Sequence, residues 1–414
     1  MFWWHGGAWR SGSGNIDGAA LARIGDVVVV SVNHRLGVLG YLHLGPAFGE
    51  AYSTGGNVGM LDLAASLHWV HTNIEAFGGD PHNIMVFGVS GGGAKVATSL
   101  AMPAFAGLYQ SAAVMSGHDL WKRNTIEAAE RTSNQVLGAL GVRPGEVAKL
   151  QSLPTQAFAD AYCQANSDLV PDPAWGRPGW VNYDLLAPVI DGHSYPAHPA
   201  DALASGAAKD VALLVGIDRH DHWVPAGRGQ TLNKAQSSPM PEDFGWMDDV
   251  ALSGYLQPHF GDATEEVVEA YRRASSGASP SSLLAEIMTD FDWRIPTIRL
   301  AEGKAKGGGS HAFQYFNNWT SGAGSTQTLV FDQLQQNPGG PRALVSPYDA
   351  GRALVGQVAP AFVALARAGD PNHPGIPSWR RSSPESRETM IFDFNSRLEC
   401  DPWSIQRESL SQFR

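Results

Sequence analysis

In Asn83-Ile-Met-Val-Phe-Gly-Val-Ser-Gly-Gly-Gly-Ala-Lys95, a short apolar run gives way to three glycines and the start of a small-residue segment, with Ser90 at the junction. The run Asn83–Gly88 predicts a strand, and Gly91–Leu100 predicts a helix rich in small residues. Gly88-Val89-Ser90-Gly91-Gly92 therefore matches G-x-S-x-G in the one context where that pattern has mechanical meaning, a sharp turn from strand to helix. Such a turn imposes unfavourable backbone angles on the serine and brings neighbouring chain so close that only glycine fits beside it. The alternative reading makes Ser90 a simple helix N-cap.

Working outward, Asp26-Val-Val-Val-Val-Ser-Val-Asn33 is a β-branched run, the pattern of a central strand buried on both faces of a parallel sheet. From Asn57 to Phe77 the residues Met60, Leu61, Ala64, Leu67 and Val70 recur at helical spacing between two glycine pairs. Tyr109–Ser116 predicts the next strand. Strand and helix alternate, so the fold class is α/β, with a mostly parallel sheet covered by helices on both faces. Further strands are predicted at Pro188–Ile190, Val211–Ile217, Ala312–Phe316 and Met390–Phe394, and helices at Thr125–Leu140, Ser282–Met288 and Pro347–Ala368. The stretch 225–260 lacks clear periodicity and reads as a cap or loop. One domain spans 1–414.

Composition bounds the function. A chain of 414 residues with 43% apolar content buries a sizeable core. Its formal net charge of −11, with no basic run, excludes a nucleic-acid partner. The apolar run nearest the start, Val27–Val32, is far shorter than the roughly 20 residues that a membrane span needs. Cys163 and Cys400 are too few for a disulfide scaffold and too far apart for a metal knuckle, leaving one disulfide or two free thiols. No metal and no cofactor are implied. Oligomeric state is not legible, and the compartment stays open between cytoplasmic and secreted.

A second element supports the serine. His5-Gly6-Gly7-Ala8 follows the apolar strand Phe2-Trp3-Trp4, and backbone amides in such a loop can point at a developing oxyanion. With the amide of Gly91 they make three donors. Trp3, Trp4, Trp9, Trp121 and Trp223 are candidates for an aromatic cleft.

At these motifs the chain resembles the type-B carboxylesterases, which include bacterial nitrobenzyl esterases and the cholinesterases. The resemblance runs through Ser31-Val-Asn-His-Arg-Leu-Gly37, Gly56-Asn-Val-Gly-Met-Leu-Asp62, Trp69–Asn73 and Phe77-Gly-Gly-Asp-Pro81. It resumes at Leu213-Leu-Val-Gly216, Gly369-Asp-Pro-Asn372 and Thr389-Met-Ile-Phe-Asp393. It implies an α/β-hydrolase fold, a small carboxylic ester as the partner, Ser90 as nucleophile and the amides of Gly7, Ala8 and Gly91 as the oxyanion hole. The acid position falls on Asp221, with Asp218 the nearest competitor. Relatives carry residues ahead of the oxyanion loop, so the expectation is a chain lacking its N-terminal segment. Many relatives have a polar residue where Val89 stands.

One departure is large. The family histidine lies eight residues before the Phe of Val330-Phe331-Asp332, and that position is Ala323. No histidine occurs from Ala312 to Asn372. Of the histidines after Ser90, His220, His222, His259 and His311 are candidates to approach it, and the catalytic histidine stays unassigned. Three readings follow: a serine ester hydrolase, a degenerate binding or scaffold protein on the same fold, and a non-hydrolytic enzyme using the same pocket.

Overall fold

The computed structural model describes residues 1–45, 48–117, 124–143, 145–168, 186–219, 221, 247–319, 325–334 and 348–413. Eight strands form one sheet: β1 (Phe2–Trp4), β2 (Val30–Val32), β3 (Met85–Val89), β4 (Ser111–Met115), β5 (Ala212–Asp218), β6 (Ala312–Asn317), β7 (Glu388–Phe392) and β8 (Arg397–Cys400). Their order is β2-β1-β3-β4-β5-β6-β7-β8. All neighbours are parallel except β7 and β8. With helices on both sides this is an α/β-hydrolase fold.

The period of two along each strand sorts side chains onto two faces. Phe2, Trp4, Val86, Ala112, Val114, Leu213 and Val215 join one cluster, packed under helices Val58–Asn73 and Ile126–Ala139. Trp3, Met85, Phe87, Ala113, Met115 and Leu214 join another, against helix Tyr348–Ala368. β3 is apolar and buried at every position because both faces are covered. Helices Asp249–Phe260, Thr264–Ala274 and Pro280–Thr289 bury a third cluster of their own beyond β5.

Three expectations need correction. The valine-rich run is an edge strand: only Val30–Val32 pairs, on one side, and its side chains are half-buried or exposed. Pro188–Ile190 is not a strand. Its backbone is satisfied by the Asn57 side chain and the Asn124 carbonyl, Asn57 Oδ1 accepting from Val189 N at 2.8 Å and Asn124 O accepting from Ile190 N at 2.9 Å. Within the stretch read as cap or loop, Asp249–Phe260 is helical, with the Asp248 side chain accepting from Ala251 N; residues 222–246 lie outside the described ones.

Cys163 and Cys400 are free and exposed, so the open choice closes on two thiols. Among the described residues no helix is long and apolar enough to cross a membrane, and no His/Cys/Asp/Glu group could hold a metal ion.

Candidate active site

β3 ends at Val89 and the helix Gly91–Ser99 begins at once, so Ser90 absorbs the whole change of direction. Its backbone sits at φ 55°, ψ −122°, outside the ordinary regions for a residue with a side chain, a strain of about 1–3 kcal/mol. Two hydrogen bonds hold it there: Ser90 N donates to Met115 O at 2.9 Å, and Ala94 N donates to Ser90 O at 2.9 Å. The hydroxyl does not cap the helix, which removes the N-cap reading. Among the described residues it makes no hydrogen bond at all.

The glycines around Ser90 explain themselves by contact. A Cβ on Gly92 would lie 2.1 Å from Trp4 O, and one on Gly91 would lie 2.4 Å from both N and Cα of Ala8. The loop leaving β1 thus rests directly on the turn. A Cβ on Gly6 would stand 3.6 Å from Ser90 Cβ. Gly7 at φ 89° and Ala8 at φ 54° both adopt left-handed backbone. Among the described residues the amides of Gly7, Ala8 and Gly91 donate to no acceptor, so three N–H groups stand uncommitted beside the serine. That is the requirement for binding a negative oxygen.

Behind this loop lies a buried cation that sequence reasoning missed. Lys95 is fully buried, donates from Nζ to His5 O at 3.0 Å, and sits 5.9 Å from the centre of the Trp9 ring. The signal was present: a lone charge inside the small-residue run Gly91–Ser99, every residue of which is buried. The His5 and His34 rings lie 4.8 Å apart at a 31° tilt, and His5 Nδ1 donates to Gly6 O at 2.7 Å. Burial, reinforced by the Lys95 charge, lowers the His5 pKa to about 4 and that of His34 further still. Both rings are neutral at neutral pH.

The candidate acids sit at the end of β5. That strand lies two places from β3, about 10 Å across the sheet at 4.7–4.9 Å per strand, a gap that an imidazole can bridge. Asp221 is 4% exposed, and its Oδ2 accepts from Asp218 N at 2.9 Å. Asp218 is fully buried and caged: its carboxylate accepts from Asn317 Nδ2 at 3.0 Å, from Thr326 N at 3.1 Å and from the Thr326 hydroxyl. These cage residues were also missed, because they become neighbours only through the β5–β6 pairing.

Other candidates disperse. His311 precedes β6 at the amino edge of the sheet, opposite the serine. His259 packs among Tyr255, Phe260 and Phe291. Trp3, Trp4 and Trp9 are buried core residues: Trp3 meets Phe87 at 5.1 Å and Phe331 at 5.0 Å, edge to face. Val89 joins the same apolar cluster. Ala323, His220, His222, Trp121 and Trp223 lie outside the described residues.

A family model described as the carboxylesterase family matches residues 1–407. The chain belongs to the carboxylesterase family. It is a carboxylic ester hydrolase by that membership and by its relatives. This family member is 32% identical over 426 residues to the para-nitrobenzyl esterase of Bacillus subtilis (strain 168), with 99% of this chain and 78% of that protein covered. The Geobacillus stearothermophilus carboxylesterase EST55 superposes with a TM-score of 0.81 at 31% identity, covering 99% of this chain and 81% of that one. An esterase from Clostridium hathewayi that can hydrolyse aliphatic aromatic polyesters superposes at 0.75 with 30% identity, covering 100% and 79%. Of the pyrethroid hydrolase Ces2e of Rattus norvegicus the chain spans only 64%, at 26% identity.

Proposed function

We propose that this carboxylesterase cleaves small carboxylic esters through an acyl-enzyme on Ser90, with the amides of Gly7, Ala8 and Gly91 as oxyanion hole and Asp221 as the acid. The observation that carries the reading is Ser90 itself: a non-glycine residue at φ 55° whose hydroxyl caps nothing. Strain of that kind persists only where the surroundings impose it. The hydroxyl attacks the ester carbonyl, its proton passes to a base, the alcohol leaves, and water releases the acid in a second round. The three amides hold the negative oxygen at each tetrahedral stage.

Asp221 is preferred over Asp218 because the Asp218 carboxylate is spent on Asn317 and Thr326. The base is not assigned to any histidine. A second reading, a weakly active or binding form of the fold, is favoured by the absence of histidine between Ala312 and Asn372. Loss of the base costs on the order of 10⁶ in turnover, leaving about 10³–10⁴ over water.

Fluorophosphonate labelling beside turnover of a p-nitrophenyl ester separates these readings. The hydrolase reading expects labelling that Ser90→Ala abolishes. Unlabelled Ser90 in folded protein sinks it. If turnover is low, Ala323→His is expected to raise it, and a variant no faster than the parent shows that position 323 is not where the base belongs.

A further inference from the structure

Beyond β5, on the side away from Ser90, a cavity of about 230 Å³ opens where β5, β6, two helices and the C-terminal helix Ser404–Leu410 converge. By the same measure one water needs about 10–15 Å³, so there is room for a small organic molecule. Neither Ser90 nor the loop at His5 lines it.

Three of its polar groups are placed for a ligand. The Arg219 guanidinium, exposed at the end of β5, makes no hydrogen bond or ion pair among the described residues. Facing it is the Glu286 carboxyl, half-buried, which accepts from Ser275 Oγ at 2.8 Å. The two are near enough for the guanidinium charge to act on the carboxyl, yet they do not touch. Burial raises the Glu286 pKa, the cost of an acid kept from full solvation without a cation in contact. The third group is Gln406, 4% exposed, whose side-chain amide lines the cavity and bonds to nothing among the described residues.

The apolar wall is equally specific. Phe316 and Trp403 meet at 4.5 Å between ring centres. Trp403 is held at φ 55°, another strained non-glycine residue. The floor is neutral overall, because Asp290 and Arg294 form a buried pair at 2.5 Å and Tyr271 donates to Asp290 at 2.6 Å. Asp290–Arg294 is a π-helical turn, an irregularity that recurs at functional sites.

We propose that this cavity is a second ligand site taking a zwitterionic α-amino acid with an aromatic or other apolar side chain. Arg219 grips its carboxylate, Glu286 receives its ammonium, Gln406 bonds to either, and the side chain packs on Phe316 and Trp403. One cation and one anion lining the same cavity without touching match a ligand that carries both opposite charges. A simple anion would meet Glu286, and a simple cation would meet Arg219. The inference does not depend on the role of Ser90.

The test is calorimetric titration of the whole chain with L-phenylalanine, beside 3-phenylpropionate and 2-phenylethylamine as half-ligands. Phenylalanine is expected to bind, each half-ligand at least about tenfold more weakly, and Arg219→Gln and Glu286→Gln to weaken it by about tenfold or more. Gln406→Leu, which loses the amide and keeps the volume, is a further variant. Thermal melts confirm that each variant is folded. Binding must survive phosphonylation of Ser90; loss on blocking Ser90 would place the ligand in the ester site and overturn the proposal. So would half-ligands that bind as tightly as phenylalanine, equal binding in folded variants, or no heat up to about 10 mM.

Discussion

Gly92→Ala is the sharpest single perturbation of the serine turn. The new Cβ would lie 2.1 Å from Trp4 O and 3.0 Å from His5 O. A carbon–oxygen contact relaxes at about 3.3–3.6 Å, so the end of β1 or the first turn of the helix must shift by roughly 1.2 Å. Neither is free to do so. Trp4 is fully buried and paired between β2 and β3, and His5 O receives the Lys95 ammonium. Overpacking at this scale costs about 1–3 kcal/mol, which lowers the melting temperature by several degrees. The same shift carries the His5–Ala8 loop with it, and a misplacement of about 1 Å costs on the order of 10²-fold in rate. Gly138→Ala is the control: a Cβ there meets nothing within 4 Å, and alanine in that helix is expected to stabilise by up to about 1 kcal/mol. Differential scanning calorimetry reads stability, and the rate of fluorophosphonate labelling at Ser90 reads the site whatever the turnover. If Gly92→Ala melts and labels as the parent does, then β1 does not clamp the turn and the reasoning fails.

Further tests separate scaffold from chemistry. Asp218→Asn replaces an acceptor oxygen with an amide N–H that faces the donors of Asn317 and Thr326 and is expected to cost about 1–3 kcal/mol in a thermal or urea melt, whereas Asp221→Asn should lower turnover far more than stability. The reverse pattern would exchange their roles. Arg294→Met leaves Asp290 charged and buried, so a loss of about 3–5 kcal/mol is expected in the same melts; a loss below about 1 kcal/mol would show that water reaches the pair. The unfolded chain protonates His5 and His34 near pH 6.5, while the folded protein resists until about pH 4 for His5 and lower for His34. Stability from these rings is therefore complete above pH 6.5 and lost as the pH falls toward 4, and a His34→Leu variant should lose less over that interval in pH-dependent melts.

What could be read from the sequence was local geometry. The G-x-S-x-G turn is legible because its glycines answer to contacts that any such turn must make, and the strands β3, β4 and β5 because full burial leaves an apolar run in each, bounded by Ser111 at the start of β4 and Asp218 at the end of β5. Position in the sheet is not local. Asp26–Asn33 has the composition of a central strand, yet β1 takes the central place beside β3 and leaves β2 at the edge. Pro188–Ile190 has a strand's composition, but side chains from Asn57 and Asn124, more than 60 residues away, take up the backbone groups that a ladder would use, with Asn57 Nδ2 donating to Val189 O at 2.9 Å and Asn124 Nδ2 to Ala187 O at 2.8 Å.

The choice between Asp218 and Asp221 shows where pattern ends and packing begins. Both follow Leu213-Leu-Val-Gly216 within a few residues, and both are buried carboxylates at the carboxyl edge of β5. Spacing alone cannot separate them, because where the strand ends decides which carboxylate is fixed beside β6 and which lies on the loop beyond. β5 runs to Asp218, one residue beyond the end of the predicted strand Val211–Ile217, so Asp218 is still in register with Asn317 of β6. That pairing commits its carboxylate sideways, to Asn317 and Thr326. Asp221 comes after the strand has ended, where the chain folds back until its carboxylate reaches Asp218 N. A carboxylate on a loop can be aimed over the sheet toward the neighbouring strands, and one locked into a strand's own ladder cannot. The strand's last residue therefore builds the frame, and the loop that follows is free to supply the acid.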